Sequence, residues 1–176
     1  ILTEGSIPVT TLRASIIVGS GSASFEIIRD LVEKLPIMIT PKWAKTLCQP
    51  IAIRNVLEYL TQVIKEPECL GRSFDIGGLD QMSYLEMLLG YADARSLKRF
   101  VIPAPFFSPR VSSFWLSLMT ATNYQLARAL VGSLHMETIC TEYSIRKIIH
   151  IPLLSYSEAI DKAFSRIAQN RVPSTW

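Results

Sequence analysis

The densest chemistry-bearing stretch of the chain is Gly19-Ser20-Gly21-Ser22-Ala23-Ser24. It scans as G-x-G-x-x-S, close to a turn whose backbone N–H groups cradle a pyrophosphate at a helix N-terminus. Two features depart from that pattern. The third position is Ser, and the next apolar stretch, IMIT, is followed by Pro41 and Lys42 where an acidic ribose ligand would stand. The favoured reading is a βα turn at the carboxyl edge of a sheet, which is still where open α/β sheets bind ligands. His135 and His150 have no Ser or Cys motif beside them and are expected on the surface or satisfied in a core. Asp75 and Asp80 are close enough in sequence to form a carboxylate pair, but capping of turns is the expected use. Arg13 falls inside an apolar run, so it must reach a sheet edge or hold a partner, since an unpaired buried guanidinium is costly. Arg54 and Lys42 are isolated cations, expected to be solvated more often than to hold an anion.

These residues need elements to position them. Residues 8–19, PVTTLRASIIVG, are rich in β-branched side chains and predict a strand buried on both faces, as in a parallel sheet. Ser24 then predicts an N-cap, with Glu26 in the first turn and Phe25, Ile28, Leu31, Val32 and Leu35 at helical spacing until Pro36. A second helix is expected from Ile53 to about Ile64, with Ile53, Val56, Leu57, Leu60 and Val63 on its apolar face. GRSFDIGG reads as a short strand between glycines. Ser83 and Glu86 form a capping box before a helix carrying Leu85, Leu88, Leu89 and Ala92. A short strand at 100–103 and a second box, Ser155 with Glu158, complete the pattern; the last helix presents Ala159, Ile160, Ala163, Phe164 and Ile167. The order βα, βα, βα predicts an α/β fold.

The 176 residues are 49% apolar and 19% charged, which excludes a disordered or fibrous chain and predicts a packed core. The net charge of +3 is spread along the chain, so the basic footprint of a nucleic-acid binder is absent from the sequence. Cys48, Cys69 and Cys140 are widely spaced with no C-x-x-C, which argues against a disulfide framework or a zinc site and for a reducing, cytoplasmic setting. The stretch 111–127 carries no charge, but its Ser, Thr, Asn and Gln fall short of the roughly 20 predominantly apolar residues a spanning helix needs. The first residues show no signal peptide. A chain that starts at Ile1 and ends near an apolar Trp176 is expected to be a portion of something longer.

Three segments in order carry a family resemblance. TTLRASIIVGSGSASF resembles the LR-x-x-x-V-x-G-x-G segment of the extended and atypical short-chain dehydrogenase/reductases, the NAD-dependent epimerase/dehydratase-like proteins. QPIAIRNVLEYL resembles the segment that follows in that family, and GRSFDIGGLDQMSYLEML its G-x-x-Y-N-I-G-G-x-x-x-x-S-x-x-E run. The resemblance covers residues 1–91, and the remainder is similar to the C-terminal lobe of a bacterial subgroup in which a further domain follows. It implies the last strands of a partial Rossmann-like sheet over 1–96 and a largely helical substrate lobe over 97–176. It also implies that the glycine-rich first turn and the Tyr-x-x-x-Lys pair lie before Ile1, so that this stretch by itself does not catalyse hydride transfer.

The same resemblance implies site residues. Ala14, Ser15 and Ile16 match the stretch whose backbone lies against the nicotinamide end of NAD or NADP. Gly19, Ser20, Ser22 and Phe25 would line the substrate side. Nucleotide-sugar members hold the diphosphate with an Arg where this chain has Cys48-Gln49-Pro50, and the usual Asp is Asn55. Both departures count against a nucleotide-sugar substrate, because a neutral thiol cannot replace a bidentate donor; Arg54 is the remaining candidate for that task. The expected function is the substrate-lobe portion of an NAD(P)-dependent oxidoreductase or epimerase-like protein acting on a small molecule. Two rivals remain open on sequence: a dinucleotide-binding structural or sensor protein without turnover, and peripheral membrane contact through residues 106–130. Self-association through an exposed strand edge over 10–18 is the expected protein contact.

Overall fold

The computed structural model describes Gly5 and residues 7–104 and 134–168. The charge-free stretch 111–127, the candidate membrane segment 106–130 and Trp176 lie outside the described residues. One break and the switch of strand partner that follows it organise the β structure. The run 8–19 forms β1 (Thr11–Ala14) and β2 (Ile17–Val18), interrupted at Ser15 and Ile16. In chain order there follow β3 (Ile37–Thr40), β4 (Leu47–Cys48), β5 (Ile51–Ala52), β6 (Ser73–Ile76), β7 (Met82–Ser83) and β8 (Phe100–Pro103). β1 runs parallel to β6, with Arg13 opposite Asp75 and Ala14 opposite Ile76. After the break, β2 runs parallel to β5. β3 pairs in parallel with β8, and β4 antiparallel with β7.

The expectation of burial on both faces fails for β1. Thr11, Arg13 and Ala14 are exposed, and only Leu12 leans on the core formed with Phe74 and Ile76. β-branched composition sets extended backbone, but burial needs a layer on each face, and the described residues supply it on one side of β1.

Helix α1 (Ala23–Lys34) begins after Ser22, not Ser24. The reason lies in Glu26, whose Oε1 accepts the Gly21 N–H at 3.3 Å and so caps the turn from inside the helix. Helix α2 (Ile53–Val63) forms where expected and buries Val56 and Val63 of its expected face, but its inward face is rotated away from Leu57 and Leu60. Leu57 and Leu60 are 49% and 45% exposed, whereas Asn55 and Tyr59 are each 1% exposed. Asn55 explains the rotation: its Nδ2 donates to the Pro152 carbonyl at 2.9 Å and its Oδ1 accepts the Leu154 N–H at 3.0 Å, so a polar side chain ties the helix to a distant segment. Helices α3 (Tyr84–Ala94), α4 (Ile145–Ile148) and α5 (Tyr156–Ala168) follow. Both capping boxes form, Ser83 with Glu86 and Ser155 with Glu158.

Two apolar clusters hold these elements together. One gathers α1, α3, α5 and β2, with Phe25, Tyr91 and Phe164 meeting edge-on or tilted at centroid separations of 5.7–6.3 Å. The other gathers α2, α4, β5 and β6 around Tyr59, Phe74 and Ile145. Elements from both sides of position 97 share the first cluster, and β3 pairs with β8 across that position. The described residues make an α/β fold of short parallel strand pairs and five helices, consistent with a partial Rossmann-like sheet. Among them no helix is long and apolar enough to cross a membrane.

Candidate functional site

Parallel strands point their carboxyl ends the same way, and the crevice outside those ends is where such sheets bind ligands. Here β1 and β6 stop at Ala14 and Ile76, and the chain then swings across Ser15 and Ile16 to join β5. Two adjoining cavities open at that break. The first, about 200 Å³, is bordered by Ala14, Ser15 and Ile16; the second, about 170 Å³, by Arg13, Ala14 and Ser15. The three residues matched to the nicotinamide end of a cofactor are therefore brought together at one place.

The first cavity takes its apolar wall from periodic faces of two helices. α1 supplies Ile27, Ile28 and Leu31, and α3 supplies Tyr84 and Leu88. Trp43, from the short 3-10 turn at Lys42–Lys45, packs edge-on against Tyr84 at 6.1 Å between centroids. Hydroxyls gather on one side: Ser15 Oγ and Thr138 Oγ1 lie 2.6 Å apart, and the Tyr84 phenol hydrogen-bonds Thr138. Burial, with Cys48 nearby, pushes the Tyr84 hydroxyl up to about 12, so it stays a neutral phenol. The Trp43 indole Nε1 is buried and has no hydrogen-bond partner among the described residues.

The second cavity is closed by ionic and polar ties. Arg13 Nε donates to Asp75 Oδ1 at 2.7 Å, the partner that the strand arginine required. Asp75 Oδ2 also accepts the Thr141 N–H at 2.9 Å and the Thr141 hydroxyl at 2.7 Å. Burial pushes the Asp75 carboxyl up, but the Thr141 bonds and Arg13 outweigh it and hold the group below its ordinary range. Asp80 serves elsewhere, accepting the Tyr156 N–H at 2.6 Å at the start of α5. Both aspartates bind backbone, as capping predicts.

Behind the cavities Gln49, 2% exposed, ties three segments. Its Nε2 donates to the Gly78 carbonyl at 2.8 Å, and its Oε1 accepts the Cys140 N–H at 3.0 Å and the Tyr143 hydroxyl at 3.3 Å. The two glycines of FDIGG permit this approach. A Cβ on Gly77 would sit 2.7 Å from Gln49 Cδ, and one on Gly78 would sit 2.3 Å from the Pro50 carbonyl oxygen. Cys48 is pushed up to about 12 by burial and by Glu86, and burial also raises Cys140. Neither is an activated thiolate.

The Gly19–Ser24 loop does not fit a pyrophosphate. Gly21, at φ +86°, spends its N–H on Glu26, and that carboxylate, 9% exposed and ion-paired with Arg29, places negative charge at the helix N-terminus. Gly19 is buried against α2, where an added Cβ would lie 2.4 Å from Ile53 Cγ2. Of the residues assigned to the substrate side, none of Gly19, Ser20, Ser22, Phe25 and Arg54 borders the first cavity; Ser24, taken as a cap, does. Phe25 is sealed in the aromatic core at 0% exposure, and Arg54 lies on the surface with its Nε on Glu58 at 3.1 Å. His135 and His150 are exposed, and no metal-binding group of side chains occurs among the described residues. The residues that sequence reasoning did not single out are Trp43, Tyr84 and Thr138. Tyr84 at the first position of a boxed helix carried a readable signal; the other two are placed by tertiary packing alone.

The described residues offer no diphosphate cradle at the Gly19 loop. No family model matches the chain, and no curated protein matches it. Solved structures do. A nucleoside-diphosphate-sugar epimerase from Staphylococcus aureus is 12% identical at a TM-score of 0.66, over 90% of this chain and 54% of its own. The triphenylmethane reductase of Citrobacter sp. is 13% identical at 0.63, over 84% and 51%. A UDP-glucuronic acid 4-epimerase from Bacillus cereus, solved with UDP-glucuronic acid and NAD, is 13% identical at 0.59, over 93% and 46%. The chain spans about half the length of the solved structures it matches. The fold is thus that of part of the NAD-dependent epimerase, dehydratase and reductase structures.

Proposed function

We propose that this chain forms the substrate-facing part of an NAD(P)-dependent oxidoreductase of the epimerase/dehydratase-like kind, with Ala14, Ser15 and Ile16 against the nicotinamide end of the cofactor. The observation that supports this reading is the position of those three residues where β1 and β6 end, all on the rim of the first cavity and Ala14 and Ser15 also on that of the second. A nicotinamide held there would exchange a hydride with a substrate in the first cavity. The chain's own groups would orient that substrate: Ile27, Ile28, Leu31 and Leu88 exclude water, and the Ser15, Thr138 and Tyr84 hydroxyls offer neutral hydrogen bonds. The outer edge of β1 pairs with no strand among the described residues, and strand addition along it is the protein contact we infer.

Binding of NADH and NADPH by the full-length protein tests the reading. Ala14 is exposed, so Ala14→Phe obstructs the crevice without crowding the core. The variant is expected to weaken cofactor binding at least about 10-fold, equivalent to about 1.4 kcal/mol. Unaltered binding by Ala14→Phe, or no binding by the unmodified protein, contradicts it.

A further inference from the structure

Three hydroxyls on the wall of the first cavity form one hydrogen-bonded chain. Ser15 Oγ and Thr138 Oγ1 lie 2.6 Å apart, and the Tyr84 phenol hydrogen-bonds Thr138, so Thr138 stands in the middle. All three residues line that cavity, and Ser15 and Thr138 border the second as well. The bond between Ser15 and Thr138 is part-buried, not sealed in the core. Each member is fixed by backbone bonds of its own segment. The Thr138 N–H donates to the Leu47 carbonyl at 3.0 Å, and the Thr138 carbonyl accepts the Gln49 N–H at 3.2 Å. The Tyr84 N–H donates to the Thr46 carbonyl at 3.3 Å, and the carbonyl of Ile16, next to Ser15, accepts the Ile51 N–H at 2.9 Å. The hydroxyls are thus held in place before a ligand arrives, which lowers the ordering cost of binding.

A hydroxyl carries one hydrogen and two lone pairs. Three hydroxyls joined by two bonds use two of their three hydrogens. If the bonds run from Tyr84 through Thr138 to Ser15, the Ser15 hydrogen is left to donate. If they run the other way, Ser15 donates to Thr138 and its oxygen is left to accept. Reversal needs only rotation of the O–H groups, with no movement of heavier atoms. Burial keeps Tyr84 a neutral phenol, so no charge fixes the direction of the chain.

We infer that this chain is the oxygen-recognising element of the first cavity, with Thr138 as its specificity-determining residue. It binds both members of a ketone and secondary-alcohol pair whose apolar body lies between α1 and α3, donating from Ser15 to the ketone and accepting at Ser15 from the alcohol. The inference rests on reading the cavity as the substrate end of the site; it names the substrate class and the group that selects it. A hydrocarbon of the same outline fills the apolar space but gains nothing from the hydroxyls.

NMR titration of the full-length protein with acetophenone, 1-phenylethanol and ethylbenzene tests this. Thr138→Val keeps the branched shape and removes the middle hydroxyl, and Ser15→Ala removes the end one. Each should weaken acetophenone and 1-phenylethanol by about 2- to 10-fold and leave ethylbenzene unchanged. The double variant should lose no more than the larger single effect, because the chain acts as a unit. If one variant does not fold, the other carries the test. Absence of saturable binding by the two oxygen-bearing probes, equal effects of a variant on all three, an effect confined to one oxygen-bearing probe, or additive single effects would overturn the inference. NADH and NADPH binding is scored separately. Selective weakening of the oxygen-bearing probes in a protein that takes up neither dinucleotide refutes the cofactor reading and leaves the hydroxyl chain standing. Dinucleotide binding with unselective variants does the reverse.

Discussion

Replacing Gln49 by Ala removes the side chain that joins the strand glycines to the 138–143 segment, and the loss can be worked out atom by atom. Gly78 keeps a partner, because Arg146 also donates to its carbonyl at 3.0 Å, and the Tyr143 hydroxyl keeps Gln81 at 3.0 Å. The Cys140 N–H loses its side-chain acceptor. An orphaned buried donor costs about 1–3 kcal/mol, and each methylene withdrawn from a buried site adds about 0.8 kcal/mol, so the expected destabilisation is roughly 2–4 kcal/mol. Urea unfolding measures it: with a slope of about 1–3 kcal/mol/M, the midpoint should fall by about 1 M or more at unchanged slope. Gln49→Glu separates hydrogen bonding from shape. It keeps the acceptor for Cys140 but turns an oxygen toward the Gly78 carbonyl, and should be as destabilising as Ala. Amide exchange at Cys140 should accelerate in the Ala variant alone. Loss of under about 0.5 kcal/mol in both variants would refute the assignment of Gln49 as the tie behind the cavities.

Other expectations follow from the same geometry. Gly78→Ala forces a Cβ to 2.3 Å from a backbone oxygen and should destabilise by more than about 2 kcal/mol, whereas Gly21→Ala, in open space at φ +86°, should cost about 1–2 kcal/mol; thermal unfolding ranks them. On α2, Tyr59→Ala should cost about 3–5 kcal/mol and Leu60→Gln within about 0.5 kcal/mol, and the opposite ranking would refute the observed rotation of the helix. The folded state holds Asp75, Glu86, Glu142 and Glu158 below their ordinary ranges. Their contribution is therefore complete above the unfolded carboxylate range near ~4 and is lost as pH falls through the lower folded values. Stability measured from pH 6 downward should decline on that limb, and Asp75→Asn should make the decline shallower.

The periodic signals in the sequence were legible because they report local backbone preference. Both capping boxes and the short strand at Phe100–Pro103 formed as spacing and capping chemistry dictate, and strand, turn and helix follow one another from Thr11 to Lys34, with a break at Ser15–Ile16 and a helix start after Ser22 instead of Ser24. Arg13 announced its partner by the cost of leaving it alone, and Asp75 supplies it. What failed is what depends on remote contacts. Hydropathy placed Leu57 and Leu60 inward because it cannot see Asn55 bonding to Pro152 and Leu154, almost a hundred residues away. Helical spacing put Phe25 on the inward face of α1, where it packs against Tyr91 and Phe164, whereas the family resemblance put it on the substrate side. The glycine loop is the βα turn that its departures from the phosphate pattern favour, and the Glu26 carboxylate on the Gly21 N–H is a contact five residues apart that spacing permits but does not reveal. Ala14, Ser15 and Ile16 rest on family resemblance; all three border the first cavity, and Ala14 and Ser15 border the second.

The most direct test is a structure of the full-length protein with NADH or NADPH bound. The account predicts the nicotinamide ring in van der Waals contact with the backbone of Ala14, Ser15 and Ile16, facing the cavity walled by Ile28, Trp43 and Tyr84. Cofactor phosphates seated on Gly19 and Gly21, with the nicotinamide away from the strand break, would contradict it.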